Sequence, residues 1–152
     1  SPPNSPVAYN GLAWIYYEWN DLDSAEKIGK LGLQMAQRYD QVIDRVILNA
    51  LLLGYIRIAS GDLLGADSYL SLADENLRQK KHFLRLADIA GLRASILLCR
   101  GKTNEAFQIA QQYELPLLNA RVFLALGDPS SAVKVLVPYH QQAKPLQLLQ
   151  VF

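Results

Sequence analysis

One short corner recurs four times along the chain and constrains its fold more than any other feature. Each copy has a turn residue five places before an alanine and a small residue twelve places before that alanine. In chain order, the small residue, turn residue and alanine are Ala13, Asn20 and Ala25; Gly54, Gly61 and Ala66; Ala94, Gly101 and Ala106; and Ala120, Gly127 and Ala132. Helices that cross closely need a small residue at the contact, and Gly or Asn accepts the positive φ of the turn. The pattern therefore predicts four helical hairpins.

The composition fits a folded helical domain and argues against several classes of protein. With 51% hydrophobic and 19% charged residues the chain can bury a core, so disorder is not expected. A net charge of +1, without a clustered excess of Lys and Arg, argues against direct contact with nucleic acid. The most apolar stretch, Val46 to Ala59, is too short to span a bilayer, so no membrane contact is expected. Since Cys99 is the single cysteine, we expect no disulfide framework and a cytoplasmic protein.

The hydrophobic pattern predicts how the hairpins stack. In the second hairpin the first helix is apolar on nearly every side, whereas the second helix carries a single apolar stripe. A helix that is apolar all round must be covered all round, and a stack achieves this because each first helix lies between two second helices. We therefore predict an all-α, right-handed superhelix of about four hairpins, at residues 7–39, 41–80, 83–113 and 117–143. Residues 1–6 lead into it, and residues 145–152 are expected to begin a further helix of a longer protein.

These hairpins resemble tetratricopeptide repeats (TPRs), which also carry a small residue in the first helix, a turn with Gly and an alanine in the second helix. The first two spacings between repeat alanines are 41 and 40 residues, whereas about 34 is usual. Longer repeats of this kind resemble the sensor domain of the MalT family, large ATP-dependent transcription activators with a LuxR-type DNA-binding end. The stretch from Leu12 to Glu26, with its core Tyr-Tyr-Glu-Trp-Asn-Asp-Leu, carries this likeness best.

The resemblance implies a parent protein with an N-terminal ATPase, a superhelix that receives the inducer and a C-terminal helix-turn-helix. ATP is then a cofactor of the parent alone, and none is expected for this chain. The implied function is to bind a small-molecule inducer or a regulatory protein and so to control activation of the parent, in which self-association can take part. The alternative is a general tetratricopeptide scaffold that binds a peptide or protein tail.

A candidate binding surface follows from the repeat register. In such a stack the first helices line the concave side, and the residue after each small residue is expected to face it: Trp14, Tyr55, Ser95 and Arg121. Three neighbours of Trp14 at helical spacing share its face: Asn10, Tyr17 and Glu18. We predict that Trp14 and Tyr55 form an aromatic wall for a sugar ring, another metabolite or a peptide side chain, which Glu18 and Arg121 orient. The alternative is that these side chains only fill the groove or pack on a neighbouring repeat.

Other polar residues are interpreted as structural. Gly101-Lys102-Thr103 resembles the end of a phosphate-binding loop, but it lacks the first glycine and the preceding strand and is interpreted as a repeat turn. His82 and His140 have no metal-ligating neighbour at helical spacing, so we expect solvated residues at helix ends and no metal site. Because no nucleophile and base occur in a recognisable motif, an enzyme is not expected.

Two arginines, Arg57 and Arg93, interrupt otherwise apolar first helices. A buried arginine usually belongs to an ion pair that fixes the register of packed helices. We expect the partners to lie across the stack, among Asp44, Asp88 and Glu114.

Overall fold

The chain folds into a stack of α-helices. The structure, a computed structural model, describes residues 5–39, 43–80 and 83–150, and their side chains except those of 80, 83 and 142–150. The helices are α1 (Pro6–Glu18), α2 (Leu22–Tyr39), α3 (Ile43–Ala59), α4 (Leu63–Lys80), α5 (Leu86–Cys99), α6 (Thr103–Gln112), α7 (Pro116–Ala125) and α8 (Pro129–Gln150), and a 3₁₀ turn at Phe83–Arg85 precedes α5. No strand occurs within these ranges. The predicted all-α helical-repeat fold is confirmed, while the right-handed superhelical sense stays a prediction.

Each hairpin closes with the same left-handed turn. The backbone φ is positive at the four predicted turn residues: Asn20 (59°), Gly61 (79°), Gly101 (76°) and Gly127 (76°). The amide that follows each of them donates to the carbonyl five residues back, at 2.8–2.9 Å: Asp21 to Tyr16, Asp62 to Arg57, Lys102 to Leu97 and Asp128 to Phe123. This bond satisfies a carbonyl that the end of a helix otherwise leaves free. The hairpins α1–α2, α3–α4, α5–α6 and α7–α8 therefore share one turn geometry.

All eight small residues of the repeat pattern are buried, as their proposed role requires. At Gly54 on α3, a methyl group in the Cβ position would lie 2.6 Å from Cδ2 of Leu92 on α5. Leu92 is itself fully buried. At this point the lack of a side chain on Gly54 lets the neighbouring first helices α3 and α5 come into close contact.

The helix α3 is enclosed on nearly every side. It packs on α4 of its own hairpin and on α2 of the preceding one, and it also contacts α1 and α5. Nine of its residues are buried, among them Asn49 and the run from Ala50 to Gly54. Contacts of α1 with α3, of α3 with α5, and of α5 with α7 place the first helices side by side, in chain order, along one side of the stack.

The arginines of the first helices do pair across the stack, but with partners other than the predicted ones. Arg57 on α3 pairs with Glu26 on α2, and it also lies 3.5 Å from Asp62 in its own turn. Arg93 on α5 pairs with Asp74 on α4. The prediction of Asp44, Asp88 and Glu114 was wrong because the preceding second helix, and not the neighbouring first helix, faces each arginine.

The last helix differs from the sequence expectation. The fourth hairpin was expected to end at residue 143 and a further helix to begin at residue 145, whereas α8 continues without a break to Gln150. A proline inside a helix removes one hydrogen bond and bends the helix without always ending it. Residues 151 and 152 of the expected further helix lie outside the described residues.

Candidate ligand-binding groove

A groove opens on the side of the stack where the first helices are adjacent. Its volume is about 550 Å³, which is within the range of small-molecule sites in proteins. The lining residues come from α1, α3, α5 and α7, from Arg85 of the 3₁₀ turn and from Tyr139 of α8. All four hairpins therefore contribute to one concave surface.

An aromatic wall forms one side of this groove. The ring centroids of Trp14 and Tyr17, three residues apart on α1, are 5.4 Å apart with the planes at 90°. The centroid of Tyr55 on α3 is 6.1 Å from that of Trp14, at 46°. Edge-to-face and tilted contacts of this kind are favourable between aromatic rings. Trp14 and Tyr55 meet because each follows a small residue at the same repeat position, Ala13 and Gly54, on adjacent helices.

The Tyr55 hydroxyl extends from α3 to the neighbouring first helix, α5. A methyl group at the Cβ position of Gly91 on α5 would lie 3.3 Å from this hydroxyl, so the glycine leaves room for it. Ser95, one turn further along α5, donates from Oγ to the Gly91 carbonyl at 2.8 Å. Burial raises the pKa of the Tyr55 hydroxyl, and a hydrogen bond with Ser95 partly offsets the rise. Tyr55 is therefore a neutral hydrogen-bonding group at physiological pH.

An ion-pair cluster lies at one rim of the groove. Arg85 donates from Nε to Oδ1 of Asp44 at 2.5 Å, from Nη2 to Oδ2 of Asp44 at 2.9 Å and from Nη1 to Oδ2 of Asp88 at 3.1 Å. The hydrogen bonds to Asp44 are the main reason why the pKa of the Arg85 guanidinium is raised. Because Asp44 lies on α3 and Asp88 on α5, the cluster joins the second hairpin to the third. The charges of this cluster are therefore largely neutralised by ion pairs within the protein.

Glu18 and Arg121 carry the remaining charges of the groove. Both are exposed, and within the described residues neither forms an ion pair or a side-chain hydrogen bond. Burial raises the pKa of the Tyr17 hydroxyl, the positive charge of Arg121 opposes this rise, and the negative charge of Glu18 adds to it. Both charges therefore act on the same part of the aromatic wall.

The structure brings five of the six predicted site residues into this one groove: Trp14, Tyr17, Glu18, Tyr55 and Arg121. Ser95, which the same register placed on the concave side, also lines it. Asn10, the sixth, is not among the lining residues. Its Nδ2 instead donates to the backbone carbonyl of Leu48 at 3.2 Å, which ties α1 to α3.

Several lining residues were missed by the sequence reasoning. Gly91 and Asp88 lie four and seven residues before Ser95, so the helical spacing of α5 contained a signal for them. The segment 115–118 and Tyr139 also line the groove. They belong to the shortened fourth repeat, where the spacing between repeat alanines falls to 26 residues. The register of the longer repeats therefore does not predict which residues of this repeat face the groove.

The other polar motifs are placed away from the groove. Gly101 and Lys102 form the turn before α6, as predicted for a repeat turn. His140 is exposed, but it lies inside α8 and not at a helix end as expected, and His82 is outside the described residues. In the described part of the chain, no three His, Cys, Asp or Glu side chains lie together as metal ligands do. None of the described helices combines the length and the apolar character needed to cross a bilayer.

Comparison with known proteins agrees with this architecture. No curated protein and no solved structure matches the chain. The family model described as the MalT-like TPR region matches residues 2–151, which is nearly the whole sequence. The chain therefore belongs to the family of MalT-like TPR regions, helical-repeat domains of MalT-type regulators.

Proposed function

We propose that this domain senses an effector for a LuxR-type transcription activator, and that the effector binds in the groove between α1 and α7. The observation that supports this best is that four aromatic rings, of Trp14, Tyr17, Tyr55 and Tyr139, and two charged groups without an ion-pair partner among the described residues, Glu18 and Arg121, line one groove of about 550 Å³. The charges of Arg85 and Asp88 are paired within the protein. Glu18 and Arg121 are exposed and solvated, so they are free to contact a bound molecule. A mostly apolar and aromatic lining with a few charged groups that can orient a ligand is typical of small-molecule sites.

A ligand bound in this groove could affect the conformation of the parent protein. A ligand in the groove contacts first helices from several hairpins, so its affinity depends on how these hairpins are arranged. A ligand shifts an equilibrium between two arrangements only if it binds one of them more tightly. The effector, a small-molecule inducer or a regulatory protein, would thereby favour the active form of a cytoplasmic parent.

The experiment is a thermal-shift screen with sugars, organic acids, amino acids and other metabolites, followed by calorimetry on each hit. Trp14→Ala should abolish the ligand-induced rise in melting temperature. The matched control is Trp19→Ala, because Trp19 also lies at the end of the first hairpin's aromatic cluster but is 73% exposed and outside the groove lining. Comparing the shift caused by ligand, and not the melting temperature itself, separates binding from any loss of stability.

The results separate the two functions considered. Hits that depend on Trp14 but not on Trp19 support an effector site. If no metabolite binds a well-folded domain, and a peptide library yields binders that Trp14→Ala weakens, the groove serves a tetratricopeptide scaffold instead. If Trp14→Ala leaves every affinity unchanged, the groove is not the binding site.

A further inference from the structure

The charges of the groove identify the class of ligand, and this inference rests on the function proposed above. Four charged residues line the groove: Glu18, Arg85, Asp88 and Arg121. Arg85 and Asp88 pair with each other, and Arg85 also pairs with Asp44. One negative and one positive charge, on Glu18 and Arg121, therefore remain to interact with a bound molecule.

These two charges lie on opposite sides of the groove and close to the same ring. Glu18 is the last residue of α1 and Arg121 lies in the middle of α7. They do not pair with each other, yet both act on the Tyr17 hydroxyl with opposite sign. Both residues line the same groove without forming an ion pair with each other, so both charges face the space in which a ligand would lie.

The surface between the charges is apolar. Trp14 and Tyr55 form its wall, and Leu51 and the buried Leu118 lie beside them. A ring or an aliphatic side chain of a ligand would be removed from water there. Arginine binds a carboxylate through paired hydrogen bonds, and a carboxylate on the opposite side attracts an ammonium group.

We propose that the groove binds a zwitterion: an amino acid or short peptide with an apolar side chain, whose carboxylate pairs with Arg121 and whose ammonium pairs with Glu18. A dianion such as a phosphate ester is repelled by Glu18. A neutral ligand leaves both charges without a partner. A zwitterion satisfies both charges at once and places its side chain on Trp14 and Tyr55.

Calorimetry with four related probes tests this assignment on the intact chain. L-phenylalanine and the dipeptide glycyl-L-phenylalanine carry both charges, 3-phenylpropionate lacks the ammonium, and 2-phenylethylamine lacks the carboxylate. We expect one of the two zwitterions to bind up to about fivefold more tightly than either singly charged probe, since an ion pair with an exposed side chain contributes at most about that factor. Which zwitterion prevails distinguishes a free amino acid from a peptide.

Two variants assign the charges individually. Arg121→Gln should remove the advantage of the zwitterion over 2-phenylethylamine, and Glu18→Gln should remove its advantage over 3-phenylpropionate. Because both residues are exposed, the variants are expected to fold, and circular dichroism checks this. Arg38→Gln, at an exposed position of α2 outside the groove, is the control and should change no ratio.

The inference fails if the singly charged probes bind as tightly as the zwitterions, or if neither zwitterion binds. It also fails if Arg121→Gln weakens all probes equally. The proposed function then still stands, provided that the metabolite screen yields a ligand of another class whose binding depends on Trp14. If the screen also yields none, both proposals fall together.

Discussion

The close contact between α3 and α5 can be tested by one methyl group at Gly54. In an open helix position, replacing glycine by alanine stabilises a protein by about 0.8–1.0 kcal/mol. At Gly54 the new methyl group would lie 2.6 Å and 3.1 Å from the two terminal carbons of Leu92, which is fully buried and would have to shift within the packed core. Overpacking of this kind costs about 1–3 kcal/mol. We therefore expect Gly54→Ala to leave stability unchanged or to lower it by up to about 2 kcal/mol.

The matched control is Gly11→Ala, the same change on α1 at a position where no atom lies within 4 Å of the added carbon. This variant should be stabilised by about 1 kcal/mol. The two variants should then differ by about 1–3 kcal/mol, or about 2–12 °C in melting temperature for a chain of this size. Calorimetry and urea titration measure the difference. An equal gain in both variants would refute the close packing of α3 on α5, on which the alignment of the groove residues depends.

Two further predictions concern the repeat register and the pH dependence of stability. Ala66→Leu should lower the free energy of unfolding by about 1–3 kcal/mol, because Ala66 is fully buried and the larger side chain overpacks the core. The control, Ala8→Leu at an exposed position, should change the free energy of unfolding by less than about 0.5 kcal/mol. If Ala66→Leu left the free energy of unfolding unchanged, the repeat register would be contradicted. Asp128 accepts hydrogen bonds from Oγ and N of Ser131 at 2.5 and 3.0 Å, and the bond from the hydroxyl is the main cause of its lowered pKa. A lowered pKa in the folded state stabilises above the unfolded pKa, and this contribution is lost as the pH falls through the folded pKa. Asp128→Asn should therefore lose less melting temperature than the wild type between pH 7 and about pH 3, and equal losses would contradict this role of Asp128.

The repeat register explains why much of this molecule is predictable from its sequence. The positions of turn and small residues are local properties of a helix pair, since they follow from φ and from side-chain volume. Once Ala13 and Gly54 are aligned, helical geometry brings Trp14 and Tyr55 together without further information. The same reasoning placed Arg121 in the groove, on a helix 66 residues beyond Tyr55.

Long-range polar contacts were not predictable in this way. The pairing of Arg85 with Asp44 joins residues 41 positions apart, and it depends on where the 3₁₀ turn places the side chain before α5. Arg57 pairs with Glu26 on the preceding second helix, and the register does not specify which polar residues of two packed helices meet. Asn10, one turn before Trp14 on α1, contacts α3 and does not line the groove, because a helical face is broad enough to serve both the groove and such a contact.

Because four hairpins form the groove, its width depends on how the hairpins are arranged relative to one another. Its opposite sides, α1 and α7, are linked through the packing of α1 on α3, of α3 on α5 and of α5 on α7. Small rotations at these three contacts add up along the stack. A slight bend of the stack therefore changes the distance between Trp14 and Arg121 by more than it changes the distance between neighbouring helices. Trp14 lies in the groove, and its ring contacts those of Tyr17 and Tyr55. We therefore expect the fluorescence of Trp14 to change when the curvature of the stack changes.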